Sequence, residues 1–430
     1  MRRPESKSAL LLDISRLIWR ARRRGPTGID RVELAYARHF LSADGERPAY
    51  AVLHLFGFLF AVSPAGARRF VEELAMRWEG SAPAQRWGYL AVIKTYCHLF
   101  TSVWVVGPWL RQKLRRHPGS PIFLVVSHHH VARDYTIDRI RCSLGVKTVC
   151  FIHDLLPIDY PEYFKPGWEA RYRRLSGSIG RSFDAVIANS ESTARCVRTH
   201  LQAEPDEPLS RVAIRIAAPG VRAFPQPQID CRAGQERPYF VVLGTIEPRK
   251  NHLLLLNLWS RFASTMPVPP RLHVIGARGW ENEQVVDMLE RSRRLRGLVE
   301  EHGGLTDAGV GALLRHARAL LLPSFAEGFG MPLAEALASG VPVICSDIPA
   351  FREVGRAVPE YLDPLDLYAW TDAVRDYSRP DSLRRAAQMQ RLAQWRAPRW
   401  VDHFTVVEQL LGDLDTRRYE VLSPKAYQAL

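Results

Sequence analysis

The chain has 430 residues, 47% hydrophobic and 24% charged, a globular balance with length for two domains and for a large core without disulfide staples. That balance excludes a disordered chain, and no run of about 18 apolar residues offers a membrane-spanning helix. The net charge of +14 belongs to the first half: residues 1–225 hold 34 Lys and Arg against 20 Asp and Glu, while residues 226–430 hold 25 of each. Such asymmetry points to a polyanion or an anionic membrane surface as partner.

In chain order, the basic start has an apolar run that breaks at Asp13, too short for a signal peptide. Strands are expected at residues 10–14, 122–126, 148–152, 185–188, 239–243, 272–275, 319–322 and 341–345. Continuous apolar runs separated by helical stretches read as parallel sheets covered on both faces, so the expected fold class is α/β with two doubly wound, Rossmann-like domains. The Pro- and Gly-rich stretch 203–238 marks the boundary. The expected division is residues 1–225, residues 226–400, and a C-terminal helix and tail over 401–430. Six scattered cysteines form no Cys-x-x-Cys pair and are expected to be reduced core residues of a cytosolic protein.

Several polar features follow apolar strands. Gly25-Pro26-Thr27-Gly28 lets the backbone approach a reaction centre, and Thr27 and Gly28 are cleft candidates, but no Gly-Lys-Ser/Thr follows as a phosphate loop requires. Residues 87–110 are rich in Trp and Tyr, and Arg111, Lys113, Arg115 and Arg116 come next. That pattern fits an interfacial membrane helix, or a core helix with a solvated basic end. His128-His129-His130 suggests a metal, yet neighbours on an extended chain point to opposite faces. His153 sits just past a strand, where it can donate to a reacting oxygen or simply bond to backbone. Asn189 and Ser190 follow another strand, and Ser190 suits either a cleft or a helix N-cap. The Asp-x-Asp pair Asp413 and Asp415 is read as chance.

The most informative stretch runs from Leu321 to Glu335. A strand ends near Pro323, a loop with Gly328 and Gly330 permits close approach by a ligand, and Pro332 suits a helix start. The helix amides then face an anion such as a diphosphate. Glu327 and Glu335 can grip hydroxyl donors of ribose and hexose.

Glu-Gly-Phe-Gly with a second Glu eight positions after the first resembles the E-x7-E element of retaining GT-B glycosyltransferases, a large group similar to glycosyltransferase family 4 and its bacterial mannosyltransferase-like members. The resemblance extends to Gly244-Thr245-Ile246-Glu247-Pro248-Arg249-Lys250-Asn251, His273-Val274-Ile275-Gly276, Ser346 to Val354, Thr27 to Arg31, and Phe151 to Leu155. It implies that Glu335 holds the ribose, that Glu327 faces the donor sugar, and that Gly328, Phe329, Gly330 and Met331 lie beside the sugar and diphosphate. It implies that Lys250 contacts the diphosphate and that His153 lies near the donor sugar. Many members carry Arg where this chain has Thr245, and Arg249 can supply that cation. The implied activity is transfer of a hexose such as mannose from a nucleoside-diphosphate sugar, with retention, and with no metal or other cofactor. The implied acceptor is a glycan or lipid-linked oligosaccharide of bacterial surface polysaccharide synthesis. The expected location is cytoplasmic, peripheral on the inner face of the membrane, with no nucleic acid as partner. Two alternatives are a GT-B-like sugar-nucleotide epimerase and a non-enzymatic nucleic-acid-binding protein.

Overall fold

A computed structural model describes residues 7–23, 25–43, 45, 47–55, 58–79, 103–105, 108–128, 136–202, 212–225 and 237–416. The strands of the first sheet are β1 (Leu10–Asp13), β2 (Ala49–Leu55), β3 (Phe58–Val62), β4 (Val103–Val105), β5 (Ile122–Val125), β6 (Lys147–Ile152), β7 (Ala185–Ala188) and β8 (Ala213–Ile216). Those of the second are β9 (Tyr239–Leu243), β10 (Arg271–Ile275), β11 (Val299–His302), β12 (Leu320–Leu322), β13 (Val343–Ser346) and β14 (Glu360–Leu362).

The first sheet runs in the order β4-β3-β2-β1-β5-β6-β7-β8, and the second in the order β11-β10-β9-β12-β13-β14. The second is parallel throughout, and the first is parallel from β2 to β8. The departure from an all-parallel reading is an antiparallel edge, because β2, β3 and β4 pair antiparallel. The expected α/β class of two doubly wound sheets facing a cleft is therefore present.

Burial on both faces explains the apolar strands. In β1, Leu10 and Leu12 enter one core and Leu11 the other, so both faces of the strand are apolar up to Asp13. The second sheet likewise separates two cores. The helix Trp400–Thr416 crosses back to the first domain, where Phe404, Val407, Leu410, Leu411 and Leu414 join the core of Leu10, Leu12 and Tyr36. Asp413 and Asp415 lie on that helix: Asp415 accepts from Ser8 and Arg47, and Asp413 from Arg215. Their role is attachment, consistent with reading the Asp-x-Asp pair as chance.

The cysteine expectation needs correction. Cys150 and Cys345 are buried, whereas Cys142 is exposed and Cys196 half-buried, because each lies off the core-facing side of an amphipathic helix. Cys97, Cys231, His129, His130 and most of the aromatic segment 87–110 lie outside the described residues.

Candidate active site

Strand order in the second sheet reverses between β9 and β12, and ligands of open α/β sheets bind where the loops leave such a reversal. The loop after β9 carries Glu247, then a single 3-10 turn, Pro248–Lys250. The loop after β12 carries Ser324 to Gly330. The Phe325 amide donates to the Arg249 carbonyl at 2.9 Å and fastens the two loops together.

A compact ion cluster results. One oxygen of Glu327 accepts from Lys250 Nζ at 2.5 Å and Ser324 Oγ at 2.8 Å, and the other accepts from Arg249 at 2.6 Å. Arg249 also donates to the Ala326 carbonyl at 2.8 Å and to Glu247 at 2.5 Å. Burial opposes the charge on Glu327, but Arg249 and Lys250 overcome it and bring the carboxyl down to about 2. Arg249 is thus a partly buried, two-way ion-pair partner rather than a loose surface charge. Two cations face two carboxylates, so the cluster is neutral as a set.

Glu327 leads into the helix Met331–Ala338. Gly330 precedes that helix at φ +94°, and a Cβ there would lie 2.8 Å from the Phe351 ring, so glycine is required on both counts. Pro332 is the second helical residue rather than the first. The Phe329 side chain is buried in the core, which leaves only its backbone for a ligand. Thr245 is half-buried against Gly279, where a Cβ would come within 2.7 Å of its methyl group.

Glu335, one turn along, is buried. Burial pushes its carboxyl up to about 7, with Arg31 pulling it down and Asp307 adding to the rise. Arg31 comes from the helix Gly28–Phe40 of the first domain and pairs with Asp307 at 2.6 Å and Glu335 at 3.5 Å. A guanidinium thus reaches across the cleft to the second glutamate.

The first domain presses its strand ends against the same loop. A Cβ on Gly328 would lie 2.4 Å from the His153 carbonyl and 2.9 Å from Asp154 Cβ. Ser190 Oγ caps its helix by accepting from the Thr193 amide at 3.0 Å, as the N-cap reading has it, and also donates to the Gly328 carbonyl at 2.7 Å. Asn189 donates to the His153 carbonyl at 2.7 Å. Thr27 and Asp30 form a reciprocal capping box, and Gly28 packs against Met331 of the facing helix. Glu353 accepts the amides of Glu191 and Ser192 across the seam.

His153 requires a correction. Its Nε2 stands 2.8 Å from the Val126 carbonyl, which can only accept, so the ring proton is committed there. Burial lowers the ring to about 3, which opposes an imidazolium. In this arrangement His153 is neutral and offers a lone pair at Nδ1. It does not donate into the cleft.

Two cavities flank the seam. One of about 270 Å³ is lined by Glu327, Gly328 and Asp154, and one of about 1280 Å³ by Glu335, Arg31 and Met331 before it runs out along the Trp400–Thr416 helix. Residues 325–328 line the smaller one and not the larger.

Residues 56–212 match the family model described as glycosyltransferase family 4, and residues 230–357 match the model described as glycosyl transferases group 1. One model falls on each domain, and together they take in more than half of the chain. The chain belongs to the GT-B glycosyltransferases.

O-antigen chain mannosyltransferase B of Escherichia coli is 28% identical over 264 residues, covering 59% of this glycosyltransferase and 67% of that one. Serotype-specific mannosyltransferase WbdA of Escherichia coli is 27% identical over 235 residues, 51% of this chain but only 28% of that one. Among solved structures, HepE of Anabaena in complex with UDP-glucose has a TM-score of 0.62 at 13% identity, over 94% of this chain and 99% of that one. Sucrose-phosphate synthase from Thermosynechococcus elongatus has a TM-score of 0.59 at 14% identity, over 95% and 99%. These two likenesses concern the fold.

Reading the sequence missed Arg31, Asp307, Glu247 and Ser324 as parts of the site. Arg31 and Glu247 stood inside the quoted motifs, but nothing in a linear motif tells which charge faces which. The Thr27-x-x-Asp30 spacing of a capping box was the one available signal that Gly28–Phe40 begins at the cleft.

Proposed function

We propose that this glycosyltransferase moves a hexose, with mannose the first candidate, from a nucleoside-diphosphate sugar to a glycan or lipid-linked acceptor. The transfer proceeds with retention and without a metal, in bacterial surface polysaccharide synthesis. The observation that carries the reading is the Glu327 carboxylate holding both Lys250 and Arg249 at the point of strand reversal, just before a helix start. An arriving diphosphate offers those cations more negative charge than one carboxylate does, and the helix amides add to the attraction. The cations then turn to the phosphates, and Glu327 is freed to accept from sugar hydroxyls. Lys250 and Arg249 stabilise the leaving diphosphate as charge develops on it, the part a divalent ion plays elsewhere. Glu335 receives the ribose, and the backbone of Gly328, Phe329, Gly330 and Met331 lies beside the sugar and diphosphate. His153, Thr27, Gly28, Asn189 and Ser190 form the acceptor-side wall.

The relatives' names support a mannosyl donor and a polysaccharide product, and the UDP-glucose complex of HepE supports a sugar-nucleotide donor. We assign an anionic membrane surface to the basic first domain, where Arg111, Arg115 and Arg116 are exposed. No helix among the described residues is long and apolar enough to cross a membrane.

The test is a thermal-shift screen of nucleoside diphosphates and their sugars. A ligand at 100 times its Kd stabilises by about 2.7 kcal/mol. Glu335→Ala is expected to weaken nucleotide binding by about 1.5–3 kcal/mol, the range for a hydrogen bond to a charged group. Unchanged affinity in the folded variant removes Glu335 from the site. Product formation without added Mg²⁺ or Mn²⁺ is expected.

A further inference from the structure

We propose that His273, Glu300 and His302 form a binding site for a zinc-type divalent cation on the outer edge of the second sheet. The parallel register of β10 and β11 sets His273 opposite Glu300 and Ile275 opposite His302. Glu300 and His302 are two apart on one strand, so all three side chains emerge on one face. Their ligand atoms already converge. His273 Nδ1 lies 2.9 Å from His302 Nε2 and 3.6 Å from a Glu300 oxygen, and that oxygen lies 3.8 Å from His302 Nε2.

A tetrahedral zinc with bonds of about 2.0–2.1 Å requires ligand atoms about 3.4 Å apart. Each of the three separations meets that spacing with a shift of about half an ångström or less. Two imidazoles and one carboxylate are a ligand set suited to zinc rather than to calcium or magnesium. The strands supply rigidity: His273 is buried, edge-on to the Tyr239 ring at 4.9 Å. Glu300 and His302 are partly exposed, which leaves an entry path and a fourth position for water. Without an ion, the 2.9 Å contact between rings requires a proton on one of the two facing nitrogens. Binding moves that proton to the other nitrogen of the same ring, so both lone pairs face the metal.

The Gly276 amide donates to the His302 carbonyl at 3.1 Å, and four residues beyond His302 the chain reaches Thr306, the cap of the Asp307 helix. An ion here fixes the end of β11 from which the Arg31 partner is hung, without touching the donor.

The experiment strips full-length protein of metal with a chelator, removes the chelator, and titrates Zn²⁺ against a chromophoric competitor. One equivalent is expected, with affinity at least tenfold weaker in Glu300→Gln and in His302→Gln. Co²⁺ in the same site is expected to give tetrahedral visible bands without a thiolate charge-transfer band. Cys196→Ser is the internal control, because Cys196, Asp159 and His200 form a second cluster of ligand type. Circular-dichroism melting without metal verifies that each variant is folded, and both altered side chains are partly exposed. The proposal is overturned by no binding at micromolar Zn²⁺, by affinity unchanged in both variants, or by binding that disappears in Cys196→Ser.

Discussion

At the scale of single residues, the site is a set of charges held in reserve. Lys250 and Arg249 both pair with Glu327, so in the proposed function the donor diphosphate competes with an internal carboxylate. Glu327→Gln weakens that internal partner without changing its shape. Nucleoside-diphosphate affinity is therefore expected to rise about fivefold, the equivalent of roughly 1 kcal/mol, while transfer falls at least tenfold because the sugar loses its acceptor group. Calorimetry and product assay on the same preparation separate the two effects, and loss of both together contradicts the exchange. Glu335 presents the opposite case, since burial raises it to about 7 from the usual 4.5. The protonated form is favoured in the fold, so its contribution to stability is full below 4.5 and is lost as pH rises through 7. Ribose hydroxyls require the ionised form, and nucleotide affinity is expected to climb through pH 7. It should be about tenfold below its plateau at pH 6, from the fraction ionised. Glu335→Gln removes this titration but not that of the phosphates, so the difference between the two pH profiles isolates it. Parallel profiles refute the role.

At the scale of elements, strands buried on both faces were legible and edges were not. β5, β7, β9 and β12 are unbroken apolar runs, and β1, β6, β10 and β13 are mostly apolar, because helices cover both faces. β11 reads Val-Glu-Glu-His and β14 reads Glu-Tyr-Leu, since edge strands meet solvent, and neither stands out as apolar. β2 and β3 form one apolar stretch in which only the antiparallel pairing reveals two strands. The loop 323–330 was legible through its glycines, whereas its ion partners come from a loop some 77 positions earlier in the chain, as Lys250 and Glu327 show. Gly328 gives the test of how tightly the two halves must meet there. A methyl group 2.4 Å from the His153 carbonyl and 2.9 Å from Asp154 Cβ meets groups anchored by Asn189 and by the sheet. Gly328→Ala is expected to spread the seam and lower kcat at least tenfold. Nucleotide affinity should hold, because Lys250 and Glu335 stay within the second domain. A variant with unchanged kcat shows that the seam is not needed in this closed form.

At the scale of the molecule, the two domains are joined where the chain crosses out and back side by side. The Val221 amide donates to the Pro398 carbonyl at 2.9 Å, and Gly220 packs against Trp400, so both crossings lie together at one point. The last helix closes on the first domain through Lys147 to the Leu414 carbonyl and through His403 to Tyr36 at 2.8 Å. That helix sets Glu408, Asp413 and Asp415 against Lys7, Arg215 and Arg47, which lowers the basic excess of the first domain, while the chain as a whole keeps a net charge of +14. Ion pairing within the chain therefore leaves a net positive charge, which the proposed anionic surface would attract. A bilayer with anionic lipids attracts each nearby Lys or Arg by about 1 kcal/mol, and salt weakens this within a Debye length. Arg111, Lys113, Arg115 and Arg116 end one short helix and begin the turn after it, with Leu110 and Leu114 anchored in the core. Replacing the four with Gln therefore removes charge while the core anchors Leu110 and Leu114 are kept. Co-sedimentation is expected with anionic liposomes at low salt, weakly with neutral ones, with partial release at high salt. The fourfold variant should bind less while keeping nucleotide affinity, since Lys250 and Glu335 lie in the other domain. Wild-type protein that ignores anionic liposomes at low salt would assign the charge to a different polyanion. Binding unaffected by the four substitutions would move the contact elsewhere on the first domain.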